Sequence, residues 1–374
     1  MSKLRSIVWV LLCLIVPTSA SVSAPQLNED IASDEEIYMF PTYGRLEDDR
    51  WRIPIHTWVF EFEEDSLLRA PIRATVRAVL GSAVNKHTKT LFKKRMTWAL
   101  VDNERGKRIR FQTPVPTLTR ESAPNGQTIT WINLPAKQST GPHPTAIALT
   151  TAPTADGRVF QGETILVPPQ GFSVISDIDD TIKHSNVLQK LELLRNSLVR
   201  PYRPIHKLRQ LFAKLEADHA AFHYVSSSPR FLCPTLVSFF EKAGIPKGSM
   251  HLKQVRFTDA SLYALFEPST GTKPPAIADI LKDFPGRRFI LVGDAGESDP
   301  EIYRQFAKSH PEQVAFVLIR RVRRTPSEDK RIHRIFEGWP KMRWALFDDE
   351  KSSLASIYEQ IRAALITPYP TAEN

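Results

Sequence analysis

The sequence predicts an α/β protein in which a parallel sheet with helices on both faces is preceded by a smaller β-rich, sandwich-like domain. Three observations predict it. Residues from about 33 to 169 carry short β-branched and aromatic runs separated by Pro, Gly and Asn clusters. From residue 172 onward short apolar runs alternate with stretches of helical spacing, the pattern of strand–helix–strand crossovers. Between the two lies Pro168-Pro169-Gln170-Gly171, and paired prolines stop a ladder because they have no N–H to give it. A length of 374 residues also exceeds what one core usually organises.

The elements follow in order. Residues 1–24 read as an export signal: Lys3 and Arg5 start it, Ile7 to Val16 is an apolar run of ten residues, and Thr18-Ser19-Ala20 offers a cleavage site. Ten apolar residues are too few for a bilayer, which takes about 20. An exported protein, periplasmic or secreted, is therefore expected, and Cys233 is the cysteine left after cleavage. Arg52 to Phe62 alternates with Ile53, Ile55 and Val59 on one face and Trp58, Phe60 and Phe62 on the other, so burial on both sides is expected. Further strands are expected at Arg108 to Gln112, Thr128 to Leu134, Thr145 to Thr151 and Val159 to Val167, with one helix inserted over Leu67 to Leu80. In the second half the pattern predicts strands over Phe172–Ser176, Ala221–Val225, Phe289–Val292 and Val314–Ile319. Helices are predicted over Pro204–Leu215, Phe231–Ala243, Pro275–Phe284 and Pro300–Lys308.

Charge and composition bound the function classes. The hydrophobic fraction of 42% with 24% charged residues excludes disorder and multiple membrane spans. A net charge of +9, or +7 without Lys3 and Arg5, favours anionic partners. Nine basic residues between Arg320 and Arg343 surround Phe336 and Trp339 and run up to Trp344, a combination suited to an anionic membrane surface. A solvated charged face is the other reading of that segment. No nucleic-acid motif accompanies the charge.

Chemistry concentrates at the ends of three strands. Asp177 and Asp179 flank one apolar residue immediately after the first, and two close carboxylates need a proton or a divalent cation. The second strand ends in Ser226-Ser227-Ser228-Pro229 before a helix, whose hydroxyls and free N–H groups suit a phosphate. The third ends in Gly293-Asp294 and is followed by Glu297 and Asp299, and such hard oxygen donors favour Mg²⁺. Strand ends of a parallel sheet share one edge, so these groups are expected to converge. His184 and Lys183 lie close enough to the first motif to touch substrate. His223 and Cys233 read as structural, and Asp180 and Thr181 as turn-shaping.

The stretches Val174 to Lys183, Tyr224 to Pro229 and Ile290 to Tyr303 resemble the haloacid dehalogenase (HAD) superfamily of phosphatases, and more closely the App1-type phosphatidate phosphatase catalytic domain. The resemblance spans about residues 172–320, within a HAD-like Rossmannoid domain expected over 172–366 beside the β-rich accessory domain of 33–169. It implies an Mg²⁺-dependent phosphomonoesterase working through an aspartyl-phosphate, with phosphatidate or a similar anionic phospholipid as substrate. It implies Asp177 as nucleophile, Asp179 as general acid and base, Ser226 on a phosphoryl oxygen and Lys273 offsetting the charge of Asp177 and phosphate. It implies metal ligation by Asp177, the backbone carbonyl of Asp179 and Asp294, with Asp299 nearby. The short connection from Thr181 to Pro204 predicts an uncapped, open site. A phosphatase of soluble phosphomonoesters and a non-catalytic membrane-surface binding protein are the alternatives.

Overall fold

The computed structural model describes residues 30–63, 66–67, 69–112, 118–136, 142–254 and 271–368, so the expected signal over residues 1–24 lies outside the described residues. The first half is built on a mixed sheet. Strands β1 (Glu35–Phe40), β2 (Thr42–Glu47) and β3 (Arg50–Glu61) come first. Asp48 and Asp49 join β2 to β3 with φ of 45° and 58°, the doubly left-handed turn that matches hairpin twist. Helices α1 (Ala70–Leu80) and α2 (Lys89–Ala99) follow. Strands β4 (Asp102–Asn103), β5 (Arg108–Phe111), β6 (Leu118–Glu121), β7 (Gln127–Pro135), β8 (Thr145–Thr150) and β9 (Gln161–Val167) complete the half.

The long strand β3 organises this sheet. It pairs with β7 along Arg50–Trp58 on one edge and with β2 and then β1 on the other. Ile53, Ile55 and Val59 enter a core shared with Ile109 and Phe111 of the separate β5–β6 ribbon, which gives the half its two layers. Trp58 and Phe60 face the opposite way, into a core shared with the second half. Both faces are thus buried, as the alternation predicts. Helix α1 is the predicted inserted helix, and α2 is a second one that the sequence pattern does not announce. Its mean hydropathy is low because only Phe92, Arg95 and Met96 are buried. Arg95 is buried because it reaches across to the second half, donating to the carbonyls of Ser197 and Arg200 and stacking on Tyr202.

The second half is a six-stranded, wholly parallel sheet. Its strands are β10 (Gly171–Ser176), β11 (Ala221–Pro229), β12 (Ser249–Lys253), β13 (Arg287–Asp294), β14 (Val314–Arg320) and β15 (Trp344–Phe347). Their spatial order is β12-β11-β10-β13-β14-β15. The chain therefore runs outward from β10 to one edge, returns, and runs outward to the other, so β10 and β13 straddle the switch point where such sheets open a crevice. The helices are α3 (Lys190–Leu198), α4 (His206–Ala217), α5 (Cys233–Ala243), α6 (Lys273–Asp283), α7 (Asp299–Ser309), α8 (Pro326–Ile335) and α9 (Leu354–Ile366). Helices α4, α5 and α9 cover one face and α6, α7 and α8 the other. Among the described residues no helix is long and apolar enough to cross a membrane.

The segment from Arg320 to Arg343 corrects an expectation. Phe336, Trp339 and Trp344 are 1%, 4% and 9% exposed and pack into the core, so they are not interfacial aromatics. Five of its arginines are committed to the fold, while Arg323 and Arg334, with Lys330 and Lys341, are exposed. Buried Arg320 pairs with Asp349, Arg321 with Asp329, Arg324 with Glu350 and Arg331 with Glu301, while buried Arg343 reaches the carbonyls of Thr367 and Pro368. The segment is apolar on its inner side because α8 has to close the sheet face above β14 and β15.

Candidate active site

The carboxyl ends of β10 and β13 build the site. After β10 the Asp177 N–H still donates to the Val292 carbonyl at 2.9 Å, so the chain leaves the sheet with Asp177 held beside β13. It then turns through Asp180, whose φ of 54° is a conformation Asp tolerates. The Asp180 carboxylate accepts the N–H groups of Ser185, Asn186 and Val187, and its carbonyl accepts Arg320. Asp180 therefore shapes the loop, as expected, and Arg320 braces it from within.

Asp177, Asp294 and Asp299 converge, with one carboxylate oxygen of each lying within 4.8 Å of the others. All three are fully buried. Gly293 permits this: a Cβ there would stand 2.5 Å from Asp299 Oδ2. Lys273 opens α6 rather than sitting in a loop, is 2% exposed, and places Nζ 3.0 Å from Asp177, 3.1 Å from Glu297 and against Asp299. One ammonium thus serves three carboxylates, and Asp294 makes a fourth acid. Burial pushes the Asp177 carboxyl well up, against Lys273 and with the repulsion of Asp299 and Glu297. Burial likewise raises Asp294, followed by repulsion from Asp299 and Asp177. For Lys273 burial works against the charge, but Asp177, Asp299 and Glu297 hold its pKa well above the usual value.

Asp179 faces the other way and does not join the three. Lys183 donates to its Oδ1 at 2.6 Å, as does Ser185, while Ser228 donates to Oδ2 and Ser226 stands 3.4 Å away. Burial raises the Asp179 carboxyl, but Lys183 and these hydroxyls overcome it and hold it at about 2. Lys183, expected only as a substrate contact at the mouth of the site, is 1% exposed, holds Asp179 and lies over the Tyr202 ring. The sequence offered no periodicity to reveal it. Ser226 is 1% exposed and accepts the Ser228 N–H, and β11 runs through to Pro229 before a turn at Arg230–Leu232. The helix expected over Phe231–Ala243 spans Cys233–Ala243, with one tighter turn over Arg230–Leu232 leading into it. His184 lies outside both groups, while His223 and Cys233 are buried structural residues.

The opening above is a notch of about 10 Å³ lined by Asp179, Val187, Leu193, Ser226, Ser228 and Glu297. A wholly parallel, doubly wound sheet with carboxylates and a lysine gathered at its switch point defines an α/β domain with an acidic site fit for a cation and an anion together. Residues 172–321 match the family described as phosphatidate phosphatase APP1, catalytic domain. The chain is 35% identical over 209 residues to phosphatidate phosphatase APP1 of Saccharomyces cerevisiae, covering 52% of this chain and 34% of that protein. It is 30% identical over 169 residues to an uncharacterised protein of Schizosaccharomyces pombe, covering 44% of this chain and 27% of that protein. Over residues 172–321 the chain is thus similar to the App1-type phosphatidate phosphatase catalytic domain. The chain spans about a third of the length of the curated relatives it matches.

Proposed function

We propose that the protein is a Mg²⁺-dependent phosphatase of the HAD type that hydrolyses phosphatidate to diacylglycerol through an aspartyl-phosphate. The observation that carries this is the meeting of Asp177, Asp294, Asp299 and Lys273 at the β10–β13 switch point. The donor set fits a hard divalent cation: Asp294 Oδ2 is buried without a hydrogen-bond partner, and a buried carboxylate oxygen needs one. Asp177, Asp294 and Asp299 would hold the ion, with the Asp179 carbonyl adjoining. When bound, Mg²⁺ would neutralise the excess acid and the phosphoryl charge.

The chain's own groups supply the rest. Asp177 Oδ attacks phosphorus, forming the acyl phosphate as the ester oxygen departs. Lys273 stabilises the charge that develops on the phosphoryl oxygens. Asp179, ionised in the free protein, takes up a proton from solvent when the anionic substrate enters, passes it to the leaving oxygen and takes another from the hydrolytic water, and Ser226 donates to a phosphoryl oxygen. Ser226 and Ser228 stand on β11 with their hydroxyls toward Asp179, which follows β10, so the ends of two neighbouring strands bring the donor to the acid. Export from the cell is part of this reading and rests on residues 1–24; sequencing the amino terminus of the recovered protein checks it. The burial of Phe336, Trp339 and Trp344 takes the aromatic part away from a membrane-facing role of the Arg320–Arg343 segment and leaves its exposed cations.

The test is phosphate release from dioleoyl phosphatidate in mixed micelles, with Mg²⁺ and with EDTA, against glycerol 3-phosphate at equal concentration. Release that needs Mg²⁺ and prefers the lipid supports the proposal. Preference for glycerol 3-phosphate rejects the lipid substrate and keeps the reaction, and full activity of Asp177→Asn rejects the mechanism.

A further inference from the structure

Where the two halves meet, a second cavity of about 450 Å³ lies apart from the carboxylates. Its size is within the range of small-ligand pockets, about 300–1,000 Å³. Phe40, Trp58, Trp98 and Phe231 form aromatic walls, and Ile72 of α1 adds an aliphatic one. Two arginines line it, in different states. Arg69 is neutralised by Glu63 at 3.3 Å and Asp102 at 3.1 Å. Arg230 is not. Its guanidinium donates to neutral oxygens, those of Gln127 at 2.9 Å, Leu252 at 3.3 Å and Gln254 at 3.4 Å, and lies 5.8 Å from the Phe40 ring centroid. Among the described residues no carboxylate pairs with it.

That arrangement has a chemical consequence. A partly desolvated guanidinium that meets only neutral acceptors is left with uncompensated charge, so an anion entering beside it is stabilised. The planar fork suits a carboxylate or phosphate better than a halide. His56 and His251 add no negative charge to the neighbourhood: burial, then the nearby Arg230, pushes them down to about 3 and about 4, so both are neutral. Walls of Trp58 and Trp98 beside that single cation accommodate an apolar chain joined to the anionic head.

We propose that this cavity binds a single-chain anionic amphiphile, its carboxylate or phosphate head on Arg230 and its chain along the Trp58–Trp98 wall. Arg230 lies two residues beyond Ser228, so an occupant would abut the strand that presents Ser226 and Ser228 to Asp179. The inference does not rest on the phosphatase reading, and its test reads binding alone.

The full chain carrying Asp177→Asn is titrated with oleate, with lysophosphatidate and with uncharged monoolein, all below their micelle concentrations. Tryptophan fluorescence and calorimetry are the readouts. Expected is saturable one-to-one binding of both anions, about tenfold or more tighter than monoolein, as a charge-assisted hydrogen bond implies. Arg230→Gln should erase that preference and leave monoolein binding as it was, while Arg230→Lys keeps part of it. Ile72→Trp, which fills the cavity from α1, should abolish binding of all three, and it serves if Arg230→Gln does not fold. Absence of saturable anion binding, an undiminished preference in Arg230→Gln, or unchanged binding in Ile72→Trp overturns the proposal. Binding of lysophosphatidate without oleate that is unchanged in Arg230→Gln also overturns it, since the phosphate head would then be held at the Asp177–Asp294–Asp299 cluster. Failure of the wild-type protein to release phosphate would leave the binding result standing.

Discussion

Asp177 and Asp179 stand two residues apart after one strand, both are buried, and each faces a buried lysine, yet their carboxyl groups shift in opposite directions. Asp177 is pushed well up and Asp179 is held at about 2. Burial is the largest influence on both and raises both, so burial does not distinguish them. The difference lies in how the donors are shared. Lys273 is divided among Asp177, Glu297 and Asp299, whereas Lys183 serves Asp179 with Ser185 and Ser228 adding hydroxyls. The first group has more acid than base and is suited to recruiting a cation; the second is already satisfied. Two carboxylates whose surroundings drive their proton affinities apart are a means of giving them different tasks.

The comparison can be broken most severely at the carboxylates themselves. Asp177→Asn should lower phosphate release by about 10³-fold or more, the loss expected of a nucleophile, with an unchanged or higher melting temperature because a crowded acid is removed. Asp179→Asn should lose about 10²–10⁴-fold, as expected of a general acid and base. It should also melt lower, by about 3–5 kcal/mol in stability, since buried Lys183 loses its carboxylate. Equal melting temperatures for the two variants would refute the contrast drawn here.

A smaller effect separates the lysines. Lys273→Met and Lys183→Met should both destabilise, each leaving buried acid uncompensated, but millimolar Mg²⁺ should restore part of the loss in Lys273→Met and none in Lys183→Met. Urea denaturation with and without Mg²⁺ reads this directly. In the parent, free Mg²⁺ at 100 times its dissociation constant should add about 2.7 kcal/mol, and Asp294→Asn should abolish most of that gain.

The pH dependence sharpens the contrast by its sign. A carboxyl raised on folding contributes stability that is present below its unfolded value, about 4, and lost as pH rises through the folded one. Asp294 is such a group. In EDTA, Asp294→Asn should therefore gain stability over the parent as pH rises from 4 to 8, by up to about 1.4 kcal/mol per unit. A flat difference across that range would show that Asp294 is not strained. Asp179, held down, behaves oppositely and its contribution fades only as pH falls from about 4 toward 2. The smallest expected effect is at the serines: Ser228→Ala should cost about 1–3 kcal/mol for a lost bond to a buried carboxylate, while Ser226→Ala, 3.4 Å from Asp179, should stay within about 0.5 kcal/mol.

Much of the second half was legible because its signals are local. The predicted strand over Phe289–Val292 lies within β13, and the predicted helix over Pro300–Lys308 within α7. What escaped was of another kind. Strand β12, with three of its five residues partly exposed, carries no continuous apolar run that would announce it, and β15 is only four residues long. Helix α2 is too polar for an apolar stripe, since it buries an arginine for a tertiary contact.

The sequence by itself determined where Asp177, Ser226 and Asp294 fall on their strands, since alternating and helical periods place strand ends, and strand ends of a parallel sheet share an edge. Only the tertiary structure decided which charge answers which. Lys183 reaches Asp179 across four residues, Lys273 reaches Asp299 across 26, and Arg320 reaches the Asp180 carbonyl across 140. The basic run from Arg320 to Arg343 has the composition of a membrane-facing surface, and the fold turns its tryptophans inward and pairs Arg320, Arg321, Arg324 and Arg331 with acids on neighbouring helices and loops. The reason is physical: hydrophobic periodicity is written along the chain, whereas ion pairing depends on the order in which strands lie side by side, and here that order brings β13 beside β10 and β14 beside β13.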